Sequence, residues 1–365
     1  MNATAMLRNA GQSLWLDNIT RDMLDDGTLR RYVDDYSLTG LTSNPTIFDE
    51  AIGKTAAYDA GIRDPSRSGL DDEALFFELA LEDLRRAADL FRPAYDASDG
   101  VDGWVSIELS PLLAADTAAS IDAAGRIHAQ SRRPNIFIKI PGTPAGVPAI
   151  EEAIYRGIPV NVTLLFSLDQ YRAAAAAYRR GIERRIANGR NPRVASVASL
   201  FVSRWDRKVA PVVPAPLRNR LGIAVAGTVY RAYRQALATP AWQALAARGA
   251  RPQRLLWAST GTKDPNASDT LYVEALAAPE TIDTMPEKTL LALADHGRVP
   301  ATMAADVADA DATLAEFAQA GVDIGDVAHE LQVEGARAFV ESWTALLQRI
   351  AEKRHTLAAT AHAAR

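Results

Sequence analysis

Eight short apolar segments alternate with longer amphipathic segments, and this alternation limits the fold more than any other feature of the sequence. The predicted strands are residues 13–17, 40–44, 105–109, 136–140, 160–166, 197–202, 255–260 and 280–285. Segments with helical periodicity lie between them, among them residues 21–36, 72–91, 148–157, 168–188 and 227–238. Strands separated by helices imply βαβ units and a parallel sheet. Eight such units predict an α/β fold, a (β/α)₈ TIM barrel with additional helices.

The intervals at about 48–102 and 206–252 are too long for one helix each. We therefore expect helical insertions there and a C-terminal helical extension at about 303–356, all within a single barrel domain of residues 1–365. A doubly wound sheet also alternates strands with helices. It is less favoured because no glycine-rich fingerprint follows an early strand.

Composition excludes several kinds of site. The chain has 40 basic and 45 acidic residues, a formal charge of −5, which argues against non-specific nucleic-acid binding. It has no cysteine, and its five histidines lack metal-ligand spacing, so we expect neither disulfides, nor a thiol nucleophile, nor a metal site of thiolate or histidine ligands. We also expect no metal and no organic cofactor in the reaction. The N-terminus lacks a signal-peptide run and no stretch resembles a membrane span, which predicts a soluble cytoplasmic protein with no membrane partner.

A lysine stands inside the strand IFIKI, where an ammonium group is costly to bury. Side chains alternate along a strand, so Lys139 shares a face with Phe137 while the three isoleucines face the other way. In a barrel the apolar face packs under helices and the other face points inward. Lys139 is therefore predicted to point into the barrel.

The same alternation puts polar residues on the inward face of other strands. The predicted pairs are Asp17 with Trp15, Asn44 with Thr42, Glu108 with Ser106, Thr163 with Asn161, and Ser259 with Trp257. Val160, Val162 and Leu164 are predicted to face outward. Because active sites of barrels lie at the carboxyl ends of the strands, Asp17, Asn44, Glu108, Lys139 and Thr163 should converge on one cavity.

These residue types fit Schiff-base chemistry. A desolvated lysine becomes a free amine that attacks carbonyl carbon, and the resulting Schiff base permits cleavage of a neighbouring carbon–carbon bond. Two carboxyls, Asp17 and Glu108, can divide the proton transfers. Thr163 can hold a relay water with Glu108, and Asn44 can bind a substrate hydroxyl.

Each residue also has a structural interpretation. A strand lysine is more often an edge residue or one that extends its ammonium to solvent. Asp17 could cap the following helix, and Asn44-Pro45 is typical of a turn.

Cationic and hydroxyl side chains follow the sixth and seventh strands. Arg204 lies in SLFVSRWDRK, and Ser259 and Lys263 lie in WASTGTKDP. Loops after the last strands of this fold often bind phosphate, and arginine recognises it with two hydrogen bonds. Solvated loop charges are an equally good explanation of Arg204 and Lys263 from the pattern alone.

Several segments together resemble the transaldolase family, especially its longer bacterial form within the class I Schiff-base aldolases. They run in order from about residue 13 to 297: LWLDN, GLTSNPTIFDEAI, FIKIPGTPAGVPAIEEAIYRGIPVNVTLLFSLDQY, VASLFVSRWD, WASTGTKDP and TMPEKTLLALADHG. LTSNPTIF and the lysine segment are the most specific of them.

The resemblance implies an activity of the non-oxidative pentose phosphate pathway. A dihydroxyacetone unit would pass from fructose 6-phosphate or sedoheptulose 7-phosphate to erythrose 4-phosphate or glyceraldehyde 3-phosphate. It implies catalytic roles for Lys139 (Schiff base), Asp17 (acid/base at the C4 hydroxyl), and Glu108 with Thr163 (catalytic water), and substrate contacts for Asn44, Ser199, Arg204 and Ser259. One position departs from the family: the shorter form has an arginine where this chain has Gly261, and Lys263 is the candidate substitute for its charge.

Two other functions stay open from the sequence. The first is a direct Schiff-base aldolase that releases free dihydroxyacetone, and the second is a sugar-phosphate-binding protein without turnover. We expect a monomer or homodimer.

Overall fold

Eight parallel strands form a closed barrel in chain order in the computed structural model, which describes residues 2–299, 301–303 and 308–363. The strands are β1 (Ser13–Leu16), β2 (Leu38–Thr42), β3 (Val105–Glu108), β4 (Ile136–Pro141), β5 (Val160–Leu165), β6 (Ser196–Phe201), β7 (Gln253–Ala258) and β8 (Thr281–Met285). Every strand lies within about two residues of its predicted bounds. The predicted (β/α)₈ barrel is confirmed.

Helices surround the barrel and fill the long intervals. They are α1 (Ala3–Asn9), α2 (Arg21–Asp25), α3 (Thr28–Tyr36), α4 (Pro45–Lys54), α5 (Asp59–Arg63), α6 (Asp72–Ala97), α7 (Thr117–Ser131), α8 (Gly146–Arg156), α9 (Leu168–Ala187), α10 (Ser203–Val209), α11 (Leu221–Ala238), α12 (Pro240–Ala246), α13 (Leu271–Ala275), α14 (Glu287–His296), α15 (Ala308–Gln319) and α16 (Ile324–Ala363). The additional helices are confirmed. The single-domain boundaries stay a prediction, and residues 304–307 of the C-terminal extension lie outside the described residues.

The helix predicted at residues 21–36 is two helices. Helix α2 ends at Asp25 and α3 begins at Thr28, because Gly27 between them has a left-handed conformation with φ of 79°. Glycine adopts this conformation without steric cost, and it ends a right-handed helix.

The outer face of the barrel is apolar and packs under the helices. The isoleucines of β4 (Ile136, Ile138 and Ile140) belong to this outer core, as the alternation predicts. Inside, an aromatic floor fills the lower end: Trp15 lies 6.2 Å from Phe137, which stacks on Trp104 at 4.0 Å between ring centroids. Gly40, paired with Trp15 across β1 and β2, leaves room for that indole, since a Cβ there would lie 2.7 Å from the ring.

The prediction that Trp257 faces inward with Ser259 is wrong. Trp257 belongs to the outer core and lies 6.4 Å from the ring of Tyr230 on α11, whereas its neighbour Leu256 joins the interior. Alternation does not extend from Trp257 to Ser259, because Ser259 lies beyond β7 with φ of 57°.

The prediction that Leu164 faces outward with Val160 and Val162 is also wrong. Leu164 has φ of 58°, and the pairing of β5 with β6 shifts register between Val162 and Leu165. Leu165 therefore takes the outward position, and Leu164 packs with Phe166 in the interior group.

A buried carboxyl lies on the outer side of β8. Asp283 pairs in register with Leu14 and Trp257, and its Oδ1 accepts a hydrogen bond of 2.8 Å from Thr260 Oγ1. Its Oδ2 is buried without a hydrogen-bond partner among the described residues. Burial raises the pKa of Asp283 from 3.8 to about 7.

This pKa predicts a stability that falls as pH rises. Between about pH 4 and 7 the folded chain holds the Asp283 proton more tightly than the unfolded chain does, so the free energy of unfolding should drop by roughly 2–4 kcal/mol across that interval. Asp283→Asn, which cannot ionise, should lack this component in urea unfolding measured at several pH values. Asp34→Asn, the same charge change on an exposed position of α3, is the control. Equal pH slopes in both variants would contradict the prediction.

Candidate active site

A cavity of about 130 Å³ opens at the carboxyl ends of the strands. Eight of the nine predicted site residues line it: Asp17, Asn44, Lys139, Thr163, Ser199, Arg204, Ser259 and Lys263. The ninth, Glu108, adjoins it through contact with Lys139. The structure thus brings together all the residues singled out from the sequence.

Lys139 lies inside the barrel and is 5 % exposed. Its Nζ donates to the carbonyl of Ser43 at 3.0 Å and lies 3.4 Å from Glu108 Oε2, because Glu108 and Lys139 are paired across β3 and β4. The barrel is closed, so β4 has no free edge. Neither structural explanation of this lysine, an edge residue or an ammonium extended to bulk solvent, therefore applies.

Asp17 is held by a chain of hydroxyl groups. Thr42 Oγ1 donates to Asp17 Oδ1 at 2.8 Å, and Thr284 Oγ1 lies 2.7 Å from Thr42 Oγ1. An ionised Asp17 can only accept a hydrogen bond from Thr42, so Thr284 then donates its own hydroxyl hydrogen to Thr42 Oγ1. Asp17 does not cap α2, whose N-cap is Thr20.

Both carboxyl groups have raised pKa values. Burial raises the pKa of Asp17, against a lowering influence of Lys139 and then of the Thr42 hydrogen bond. Burial likewise raises the pKa of Glu108, against the charge and hydrogen bond of Lys139. A desolvated pair of acids beside an amine is an arrangement suited to exchanging protons with a bound substrate.

Two buried oxygen atoms close to the lysine lack a hydrogen-bond partner among the described residues. They are Glu108 Oε1 and Thr163 Oγ1. Unsatisfied buried polar atoms are uncommon and costly in protein interiors. Both atoms are thus available to bind a ligand or water.

A buried hydrogen-bonded row supports the floor of the polar region. Ser199 Oγ donates to Asn161 Oδ1 at 2.6 Å, and Asn161 Nδ2 donates to Ser106 Oγ at 3.1 Å. Asn161 is paired in register with Lys139. Alternation along the strands predicts that Asn161 and Ser106 face inward, as the structure shows.

Asn44 has a structural role and also lines the cavity. Its Oδ1 accepts from the Ile47 N–H at 3.1 Å and caps α4, with Pro45 at the first helical position. Asn44-Pro45 is therefore the start of a helix and not the turn that the sequence suggests. The cap uses the carbonyl oxygen and leaves the amide N–H groups as donors for a ligand.

Cationic residues lie at one side of the cavity. Arg204 is partly buried with its guanidinium 5.0 Å from the ring centroid of Phe201, and Lys263 is exposed at the rim. Burial, followed by the charge of Arg207, lowers the pKa of Arg204. Among the described residues no carboxylate lies within salt-bridge distance of Arg204 or Lys263, which leaves both charges for an anion. The Ser259 hydroxyl lies 3.0 Å from that of Ser203, and Gly261 also lines the cavity.

Phe339 is a cavity residue that the sequence did not indicate. It comes from α16, about 200 residues beyond Lys139 in the chain, and lines the cavity with Phe201 and Pro286. The hydrophobic periodicity of a helix shows which of its faces is buried, but not which strand ends that face contacts. By contrast, Thr42 is two residues from Asn44, and Thr284 is two residues from Ile282. Alternation along the strand is therefore enough to place both threonines on the inward face.

In the described part of the chain, no helix is long and apolar enough to cross a membrane. The same residues contain no group of three or more His, Cys, Asp or Glu side chains arranged to hold a metal ion.

Comparison with known proteins gives consistent matches. A family model described as Transaldolase/Fructose-6-phosphate aldolase matches residues 14–350. A protein named Transaldolase from Parafrankia sp. (strain EAN1pec) is 47% identical, covering 95% of this chain and 96% of its own length. One of the same name from Thiobacillus denitrificans is 45% identical, over 96% of this chain and 100% of its own. A protein named Transaldolase 2 from Nostoc sp. (strain PCC 7120 / SAG 25.82 / UTEX 2576) is 41% identical, covering 97% of this chain and 98% of its own length.

The family model covers most of the chain, and these relatives align with it almost from end to end. The chain belongs to the Transaldolase/Fructose-6-phosphate aldolase family.

Proposed function

We propose that this chain is a transaldolase that uses Lys139 as its Schiff-base nucleophile. The observation that carries the proposal is the buried amine of Lys139, 3.4 Å from Glu108 in the cavity that also contains Asp17. The reaction moves a dihydroxyacetone unit from fructose 6-phosphate or sedoheptulose 7-phosphate to glyceraldehyde 3-phosphate or erythrose 4-phosphate. Such an enzyme acts in the non-oxidative pentose phosphate pathway.

The first half of the reaction begins with attack of the lysine amine on the ketose carbonyl carbon. The carbinolamine then loses water, and a water held between Glu108 Oε1 and Thr163 Oγ1 carries the proton that this step requires. Both of these oxygens are buried and otherwise unpartnered among the described residues, which supports the pairing. The product is an iminium ion on Lys139.

Carbon–carbon cleavage follows. Asp17 removes the proton of the C4 hydroxyl, the C3–C4 bond breaks, and its electron pair moves towards the iminium nitrogen. An aldose phosphate leaves, and a three-carbon enamine stays on Lys139. In the second half the enamine carbon attacks the aldehyde of the acceptor, Asp17 returns the proton, and hydrolysis of the new Schiff base frees the product.

The same geometry supports the proposed substrate-binding roles. The amide N–H groups of Asn44 and the hydroxyl of Ser199 bind the dihydroxyacetone end, near Lys139. Arg204, Ser259 and Lys263 bind the phosphate. The two cations lack salt-bridge partners in the described part of the chain, and the cavity is lined by all three side chains.

Trapping the Schiff base tests the nucleophile. Borohydride added with fructose 6-phosphate should reduce the Schiff base and leave a covalent three-carbon or six-carbon adduct, and peptide mapping should locate it at Lys139. Lys139→Ala should lose the adduct and reduce kcat by at least about 10³-fold, since it removes the buried amine that forms the covalent intermediate. An active wild-type preparation without an adduct at Lys139 would rule the mechanism out.

A double-mutant cycle tests the proposed water site. Glu108→Gln and Thr163→Val should each lower kcat by roughly 10²–10⁴-fold, because the first removes the carboxyl that exchanges the proton and the second removes a hydroxyl that holds the water. The double variant should lose little more than the worse single variant, since both act through one water. Thr163→Ser keeps the hydroxyl and should stay near wild type. Fully multiplicative losses would show that the two residues act separately.

Substitution of the rim lysine tests the phosphate assignment. Lys263→Met should raise the KM for fructose 6-phosphate by about 3–10-fold with little change in kcat, because a remote charge contributes uniform binding. Arg204→Met should have the larger effect, since its guanidinium is less exposed to solvent. The matched control is Lys288→Met, the same charge change on an exposed position of α14. If the Lys263 and Lys288 variants have equal KM values, Lys263 does not bind the phosphate.

A further inference from the structure

The C-terminal helix lies across the opening of the barrel and carries one aromatic side chain into the active-site cavity. Phe339 of α16 is 7 % exposed and lines the cavity beside Lys139. The centroid of its ring lies 6.0 Å from Lys139 Nζ. The polar side chains at the strand ends are thus covered from above by an apolar group.

The part of α16 before Phe339 is bound to the ends of two strands. Gln332 Nε2 donates to the carbonyl of Gly142 at 3.1 Å and to that of Leu164 at 3.0 Å. Gly142 directly follows the strand of Lys139, and Leu164 is the left-handed residue of β5. Gly335 lets the helix approach closely, since a Cβ there would lie 2.9 Å from Leu164 Cδ2.

The part of α16 after Phe339 packs on the helices that follow β2. Trp343 meets Phe76 edge to face, with ring centroids 5.1 Å apart. Arg349 pairs with Asp49 at 2.6 Å, and Lys353 pairs with Asp59 at 2.8 Å. Contacts on both sides therefore hold Phe339 at a defined height above Lys139.

The position of this ring matters most after the first aldose has left. Lys139 then carries the three-carbon enamine, which has two possible fates. Its carbon can attack an acceptor aldehyde, forming a carbon–carbon bond while the aldehyde oxygen takes a proton from Asp17. Alternatively the carbon takes a proton from solvent, water adds to the resulting iminium, and dihydroxyacetone leaves with the amine restored.

Both fates end in hydrolysis of an iminium ion by one water. They differ at the enamine carbon, which takes a proton from solvent in release and attacks the acceptor aldehyde in transfer. An apolar cover keeps solvent from that carbon. Phe339 offers no polar atom that could hold a water over the enamine, and its ring occupies the space above Lys139.

We propose that Phe339 is a specificity-determining residue that keeps water from the Lys139 enamine and so favours transfer over release of dihydroxyacetone. This inference rests on the proposed role of Lys139.

The test compares two rates in each variant: dihydroxyacetone release from fructose 6-phosphate without acceptor, and transfer to erythrose 4-phosphate. Phe339→Ala should raise the ratio of release to transfer by about tenfold or more, because it opens the cover to water. Phe339→Leu, which keeps an apolar side chain there, should stay close to the wild-type ratio. Leu346→Ala makes a similar cavity in the buried face of the same helix, away from the site, and should leave the ratio unchanged.

The inference is overturned if Phe339→Ala and Leu346→Ala have the same ratio, or if Phe339→Leu shifts the ratio as far as Phe339→Ala does. Circular dichroism and the thermal unfolding midpoint establish that the variants fold. If Phe339→Ala does not fold, Phe339→Thr serves in its place, because its hydroxyl can hold a water over the enamine, and an unchanged ratio in it overturns the inference equally.

Borohydride trapping separates this inference from the proposed function. No adduct at Lys139 in active wild-type protein means that the proposed function fails and this inference fails with it. An adduct in wild type and in the Phe339 variants, with a constant ratio of release to transfer, overturns the inference and leaves the proposed function intact.

Discussion

The contact between Lys139 and Glu108 depends on closure of the barrel with neighbouring strands in register. Glu108 and Lys139 are adjacent residues of β3 and β4, and Lys139 is in turn adjacent to Asn161 on β5. In an open sheet an ammonium on an edge strand reaches water and needs no partner. Here the closed ring of strands confines the amine of Lys139 to the interior. There it donates hydrogen bonds to the carbonyl of Ser43 and the carboxyl of Glu108. Beside this contact, Ser199, Asn161 and Ser106 are hydrogen-bonded to one another in a buried row.

Much of this arrangement could be predicted because it follows from short-range rules. Alternation along a strand has a period of two, and parallel strands bring their carboxyl ends to one edge, so the inward position of Lys139 and its proximity to Asp17 needed no tertiary information. The rule failed where the backbone leaves the extended conformation. Leu164 and Ser259 both have positive φ. Positive φ is uncommon for residues other than glycine and has no clear sequence signature. Each lies at a strand end that borders the cavity, where backbone irregularity is tolerated for function.

The contribution of α16 could not be predicted for a different reason. Amphipathic periodicity shows that a helix has a buried face, but it does not specify which surface that face covers. The helix reaches the barrel opening through contacts with residues far away in the chain, such as Gln332 with Gly142 and Arg349 with Asp49. The family resemblance identifies the site residues at the strand ends. The position of Phe339 in the cavity is known only from the structure.

The aromatic floor of the barrel has a consequence for the order of events. Trp15, Phe137 and Trp104 fill the lower end, so in the described part of the chain the cavity of Lys139 opens towards the strand carboxyl ends. Donor and acceptor sugars must then use one passage and occupy one space in succession. The first aldose has to depart before the second can enter. Between these two events the enzyme holds only the three-carbon enamine.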